Sequence, residues 1–145
     1  MPAITRALNV LARCGNRYRG EQLAPLGITP MQASYLLHIV ATPGMSQEEA
    51  ARALHVNPSN AARQVALLME NGFVQRSVSE EDRRRTELYP TGKAREAAAR
   101  IRQVNAAWHE ILTQGMLEKD RDMLQTLLNR VCERAEAWAA GEEGK

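Results

Sequence analysis

The chain has 145 residues, of which 44% are hydrophobic and 25% charged. That length accommodates one domain, and the composition is globular, richer in apolar residues than a disordered chain. Lys and Arg number 19 against 17 Asp and Glu, so the net charge of +2 excludes a polybasic tail, and any basic surface must be local.

Helical signals dominate. Ile4, Ala7, Leu8 and Leu11 recur at helical spacing and predict a first helix over Ala3 to Glu21. Leu23 to Gly27, with Pro25 and Gly27, reads as a turn. Thr29 suits an N-cap with Pro30 at the first helical position, opening a second helix that stops at Thr42-Pro43-Gly44. Ser46 and Glu49 fit a capping box for a short third helix ending near His55. Asn57-Pro58 repeats the cap-plus-proline signal, and a fourth helix follows to Asn71, with Gly72 as its left-handed terminator. Two short helices joined through His55 to Asn57 form a helix-turn-helix pattern.

Phe73 to Val78 and Thr86 to Tyr89 have strand character, and Ser79 to Arg85 between them is polar or charged, which predicts a hairpin with a charged tip. A long fifth helix over Thr91 to Thr113, roughly 35 Å at 1.5 Å per residue, carries Ala94, Ala97, Ala98, Ile101, Val104, Trp108, Ile111 and Leu112 on one stripe. A last helix over Glu118 to Ala140 carries Met123, Leu124, Leu127, Leu128, Val131, Ala135 and Trp138, and residues 141–145 read as a disordered tail.

On a helical wheel of the fourth helix, Ala61, Val65, Leu68 and Met69 form a buried stripe, and Ser59, Asn60, Arg63 and Glu70 lie opposite. A recognition helix places its N-terminal residues on base edges in the major groove. Arg63 suits guanine and Asn60 adenine, while Ser59 and the helix N-terminus suit a phosphate. An ordinary solvated helix carries the same polar face, so the hairpin tip matters. It reads Glu80-Glu81-Asp82-Arg83-Arg84-Arg85. Arginines beside a recognition helix can pair with phosphates or enter the minor groove, with Asp82 bracing one of them. Glu80 and Glu81 fit a solubilising, edge-protecting turn instead.

Residues 29–92 resemble the winged helix-turn-helix of the MarR family of bacterial transcription regulators. The resemblance rests on Leu26-Gly27-Ile28-Thr29, Gln47 to Leu54, Asn57-Pro58-Ser59-Asn60, Leu68 to Arg76, and Asp82-Arg83-Arg84. It implies a mainly α fold with a two-stranded wing, in one domain over 1–140 flanked by dimerisation helices at 1–22 and 91–140. The implied function is a cytoplasmic, homodimeric repressor binding a pseudo-palindromic double-stranded DNA operator. Its DNA-binding residues would be Ser46, Ser59, Asn60, Arg63, Gln64, Arg83, Arg84 and Arg85, with an Asp82–Arg84 salt bridge in the wing. Ala62 stands where the family often has Thr or Ser, so that contact is expected to be absent. A winged-helix module that binds protein without specific DNA binding is the alternative, compatible with the modest charge.

Family members often release DNA when a small aromatic or phenolic effector binds; the candidate lining residues are Arg17, Tyr18, Tyr35, His38, Trp108 and His109, each equally suited to core or interface packing. Cys14 and Cys132 form neither a CxxC motif nor a disulfide framework, and both read as buried structural thiols. Other readings find little support. The longest uncharged apolar stretch, Ala33 to Ala41, is under half the about 20 residues that a spanning helix needs, so no membrane partner is expected. Met1 to Arg17 lacks the apolar core of a signal peptide. His38, His55 and His109 show no metal-ligand spacing, and no nucleotide fingerprint or nucleophile motif occurs. Neither a cofactor nor catalysis is expected. Six aromatic residues, one Phe, two Trp and three Tyr, are few for stacking single-stranded bases.

Overall fold

A computed structural model describes residues 2–143. Six helices and one hairpin follow in chain order: α1 (Ala3–Leu23), α2 (Pro30–Ala41), α3 (Gln47–Ala53), α4 (Pro58–Glu70), β1 (Val74–Val78), β2 (Thr86–Pro90), α5 (Gly92–Thr113) and α6 (Glu118–Glu143). The mainly α winged-helix architecture is the one expected. Two compact units divide the chain, the first ending at Trp108 and the second starting at His109.

Local hydrogen bonds set the helix starts. Thr29 and Gln32 form a capping box at α2: the Gln32 N–H donates to Thr29 Oγ1 at 3.2 Å and the Thr29 N–H to Gln32 Oε1 at 3.0 Å. Ser46 and Glu49 do the same at α3, at 3.1 and 3.0 Å. Asn57 Oδ1 accepts the Asn60 N–H at 2.8 Å and starts α4 behind Pro58. Between α3 and α4, His55 sits at φ 53°, a left-handed position that a non-glycine residue seldom takes. Gly72 ends α4 at φ +79° without that cost. Lys93 then caps the same terminus: its ammonium donates to the Asn71 carbonyl at 2.6 Å and lies 4.3 Å from the Phe73 ring centre.

The core of the first unit lies among α2, α4, β2 and the early turns of α5. Leu23, Tyr35, Leu36, Ile39, Val65, Leu68 and Leu88 have no solvent exposure, and Ile101 and Val104 are buried with them. β1 and β2 pair antiparallel, with Arg76 opposite Leu88 and Val78 opposite Thr86. The connection before α3 adds a short third rung that the sequence did not suggest. The Gly44 N–H donates to the Leu88 carbonyl at 2.8 Å and the Leu88 N–H to the Met45 carbonyl at 2.9 Å. The wing is thereby pinned to the base of the helix-turn-helix.

In the second unit, Arg121 of α6 pairs with Glu110 at 3.1 Å. The apolar residues there remain outside: Ile111, Leu112, Met116, Leu117, Met123, Leu124, Leu127, Val131 and Trp138 are all exposed. α6 continues to Glu143, past the expected start of a tail at 141, because no glycine turn or proline interrupts it. Gly144 and Lys145, also assigned to that tail, lie outside the described residues. Cys14 and Cys132 are exposed, correcting the expectation of buried thiols. Their helices carry apolar stripes that this protomer leaves uncovered.

Candidate nucleic-acid interface

α4 divides as its wheel predicts. Ala61, Val65 and Leu68 are buried and Met69 packs on the core, while Ser59 and Arg63 are exposed and Asn60 and Gln64 half-buried. Because Pro58 has no N–H and Asn57 caps the Asn60 N–H, the Ser59 hydroxyl stands at an exposed helix start of positive dipole. Asn60 is partly committed inward, since Tyr35 Oη donates to its Oδ1 at 3.0 Å.

The hairpin tip closes on itself. The Ser79 N–H donates to the Arg85 carbonyl and the Arg85 N–H to the Asp82 carbonyl, both at 2.9 Å. Asp82 Oδ1 accepts the Arg84 backbone N–H at 3.0 Å. This contact takes the place of the expected Asp82–Arg84 salt bridge: the carboxylate turns toward the main chain to close the tip as an Asx-type turn, which leaves the Arg84 guanidinium free. Arg83 and Arg84 are exposed and have no partner among the described residues.

Arg85 behaves differently from its two neighbours. Its guanidinium donates to Glu49 Oε1 at 2.6 Å and Oε2 at 3.0 Å, and to the Gly44 carbonyl at 3.1 Å. Glu87 stands 3.8 Å away. The bond from Arg85, joined by the Ser46 N–H, pulls the Glu49 carboxyl down to about 2. The same bond raises the Arg85 pKa. Arg85 is therefore a latch between the wing and α3 rather than a free cation. Ser46, also expected to meet DNA, is buried at 6% exposure with its hydroxyl engaged in the α3 cap. Both placements share one cause. Glu49 is the centre of a single network that consumes both groups.

Between α3 and the wing lies a groove of about 380 Å³ lined by Gln47, Glu48, Arg76 and Arg84, among others. Arg76, unflagged by sequence reasoning, is exposed on β1 and donates to Gln47 Oε1 at 3.4 Å. Strand alternation could not have found it, because Val74 and Arg76 share a face and β1 is buried only at Val74.

Residues 26–85 match the MarR family model. A crystal structure of MarR superposes with a TM-score of 0.82 at 30% identity, covering 92% of this chain and 98% of that one. The chain belongs to the MarR family. Members of this family are transcriptional regulators rather than enzymes. The HTH-type transcriptional regulator YybA of Bacillus subtilis is 28% identical over 131 residues, 90% of this chain and 87% of that protein. A MarR-family regulator from Listeria monocytogenes, solved in complex with 26mer DNA, shares the fold at a TM-score of 0.90 and 23% identity, covering 99% of this chain and 96% of that one.

Of the residues that the MarR resemblance marked for an effector, only Tyr18 and Trp108 meet in an aromatic contact, stacked with ring centres 5.1 Å apart. Gly15 permits that approach, since a Cβ there would lie 3.2 Å from Trp108 Nε1. Arg17 is exposed and paired with Glu21 at 3.1 Å. Tyr35 is a core residue without solvent exposure. His38 is half-buried with Nδ1 at 2.9 Å from the Ser34 carbonyl oxygen. His109 is exposed at the start of the second unit. Among the described residues, no helix is long and apolar enough to cross a membrane.

Proposed function

We propose that this MarR-family regulator is a cytoplasmic homodimer that represses transcription by binding a pseudo-palindromic double-stranded DNA operator. The carrying observation is a juxtaposition within one unit. Ser59 and Arg63 are exposed on α4, and Arg83 and Arg84 are exposed and unpaired on the wing. On this reading α4 enters the major groove, with Arg63 on guanine and Ser59, Asn60 and Gln64 beside it. Arg83, Arg84 and the groove residue Arg76 hold phosphates or the minor groove. Arg85 contributes by fixing the wing. The DNA complex of the Listeria relative, which shares the fold, supports this assignment.

The dimer rests on the uncovered apolar stripes. Val10 and Leu11 of α1 and Leu124, Leu127 and Val131 of α6 are exposed in the protomer, and bare apolar stripes of that kind mark an interface. A second copy of the same stripes covers them and sets two recognition helices about 34 Å apart, one DNA turn. Release follows from a small aromatic or phenolic ligand that stacks at Tyr18 and Trp108. Such a ligand acts by binding more tightly to the dimer whose recognition helices are misplaced.

Selection of bound fragments from randomised duplex DNA, titrated at two salt concentrations, tests this reading. The expected result is a two-fold-symmetric sequence with half-sites one turn apart and affinity that falls steeply with salt. Salt-insensitive binding, or no enriched sequence, overturns it in favour of a protein-binding winged helix.

A further inference from the structure

Tyr35 and Asn60 join the core to the surface that the proposed function places on DNA. Tyr35 has no solvent exposure. Its hydroxyl donates to Asn60 Oδ1 at 3.0 Å, and burial keeps the phenol protonated by raising its pKa. Asn60 is half-buried, at the third helical position of α4 behind the Asn57 cap. Among the described residues its Nδ2 has no acceptor.

The direction of the amide follows from satisfaction of buried groups. The Tyr35 hydroxyl has no other acceptor among the described residues, so turning the amide over would leave a buried O–H unpaired, which is costly. The oxygen therefore faces inward, and the planar amide directs its NH2 group away from the core. A bidentate contact with adenine needs oxygen and nitrogen aimed at one base edge: the oxygen accepts from N6 and the nitrogen donates to N7. Asn60 held in this way cannot make that contact.

We propose that Tyr35 is a positioning residue that fixes Asn60 as a donor-only reader, selecting acceptors on the DNA and discarding adenine-specific recognition. The inference rests on the proposed placement of α4 in the major groove. Acceptors within its scope are guanine N7 and O6, adenine N7, thymine O4 and phosphate oxygens. It replaces the sequence expectation that Asn60 pairs with adenine.

The test compares base preferences of four full-length proteins on randomised duplexes: wild type, Asn60→Ala, Tyr35→Phe and Asn60→Asp. The base pair under Asn60 is the one whose preference is lost in Asn60→Ala. At that position the wild type should favour adenine over guanine less than about threefold. Tyr35→Phe frees the amide oxygen without emptying the core, and adenine preference there should rise about tenfold, the scale of a bidentate contact, with other positions unchanged. Asn60→Asp keeps an acceptor for Tyr35 but turns an acceptor outward, so preference should move to cytosine, whose N4 amino group donates.

Unchanged preferences in Tyr35→Phe overturn the inference while leaving specific DNA binding standing. Should Tyr35→Phe fail to fold, Asn60→Asp decides: no move toward cytosine overturns the inference. If no position loses preference in Asn60→Ala, Asn60 is not a reader and the inference falls. A wild type that enriches no sequence removes the DNA reading and this inference together.

Discussion

Tyr35, Leu36, Ile39, Val65, Leu68 and Leu88 in the first unit have no solvent exposure, whereas Ile111, Leu117, Met123, Leu127 and Trp138 in the second are between 47% and 70% exposed. Fully burying one such side chain is worth about 1.5–3 kcal/mol. Outside α1, whose apolar stripe is also bare, the first unit already holds most of that stabilisation, while the second forgoes it within one protomer. Helices with a bare apolar stripe gain their stability from what packs on the stripe. The proposed recognition surface thus sits on a core closed within the first unit, whereas the bare stripes of α1 and of the second unit are halves of a core whose other half we propose to be a second copy.

The largest expected effect breaks the second unit. Leu127→Asp places an unpaired charge in the proposed interface, and a cost of about 3–5 kcal/mol should turn the dimer into monomer. Light scattering after size-exclusion chromatography reads the change, and an unaltered mass would contradict it. Leu36→Ala acts on the first unit instead. It should lower stability in urea by about 2–5 kcal/mol, while any folded fraction keeps its oligomeric state.

Smaller effects sharpen the comparison inside the first unit. Arg63→Ala should weaken operator binding by about 1–3 kcal/mol and relax preference at one base pair, whereas Arg84→Ala should weaken all duplexes alike and reduce the salt slope by about one unit. Titration of operator and scrambled duplex at several salt concentrations separates the two; equal loss on both duplexes for Arg63→Ala would argue against base reading.

The smallest effect concerns the latch. The Glu49 carboxyl that Arg85 holds lies at about 2 against an ordinary 4.5, so the pair's contribution is complete above pH 4.5 and is lost as pH falls toward 2. Glu49 is about a third exposed, and solvent screening limits the contribution to roughly 1 kcal/mol. Glu49→Gln should lower neutral-pH stability by that amount and flatten the acid limb of a urea-midpoint profile. An acid limb identical to the wild type would show that another carboxylate governs it.

Sequence punctuation made the element order legible. Thr29-Pro30, Ser46 with Glu49, and Asn57-Pro58 each start a helix where the structure starts one, because caps are satisfied within three or four residues. The wheel of α4 was equally readable, being a local periodicity. Long-range partners were not. Arg83, Arg84 and Arg85 look equivalent as a run, yet only Arg85 reaches Glu49, 36 residues away in sequence. Ser46 signalled both a cap and a surface contact, and only the rung between residues 44–46 and β2 shows that it is covered. Cys132 read as core because a stripe predicts burial without saying which molecule supplies the cover.

Sedimentation equilibrium of the full chain, from micromolar down to nanomolar, tests the central claim most directly. The prediction is a single species of twice the 16.2 kDa chain mass, with a thermal midpoint that rises with protein concentration. A folded monomer at micromolar concentration, with a concentration-independent midpoint, would contradict it and leave the apolar stripes of α1 and α6 without their proposed partner.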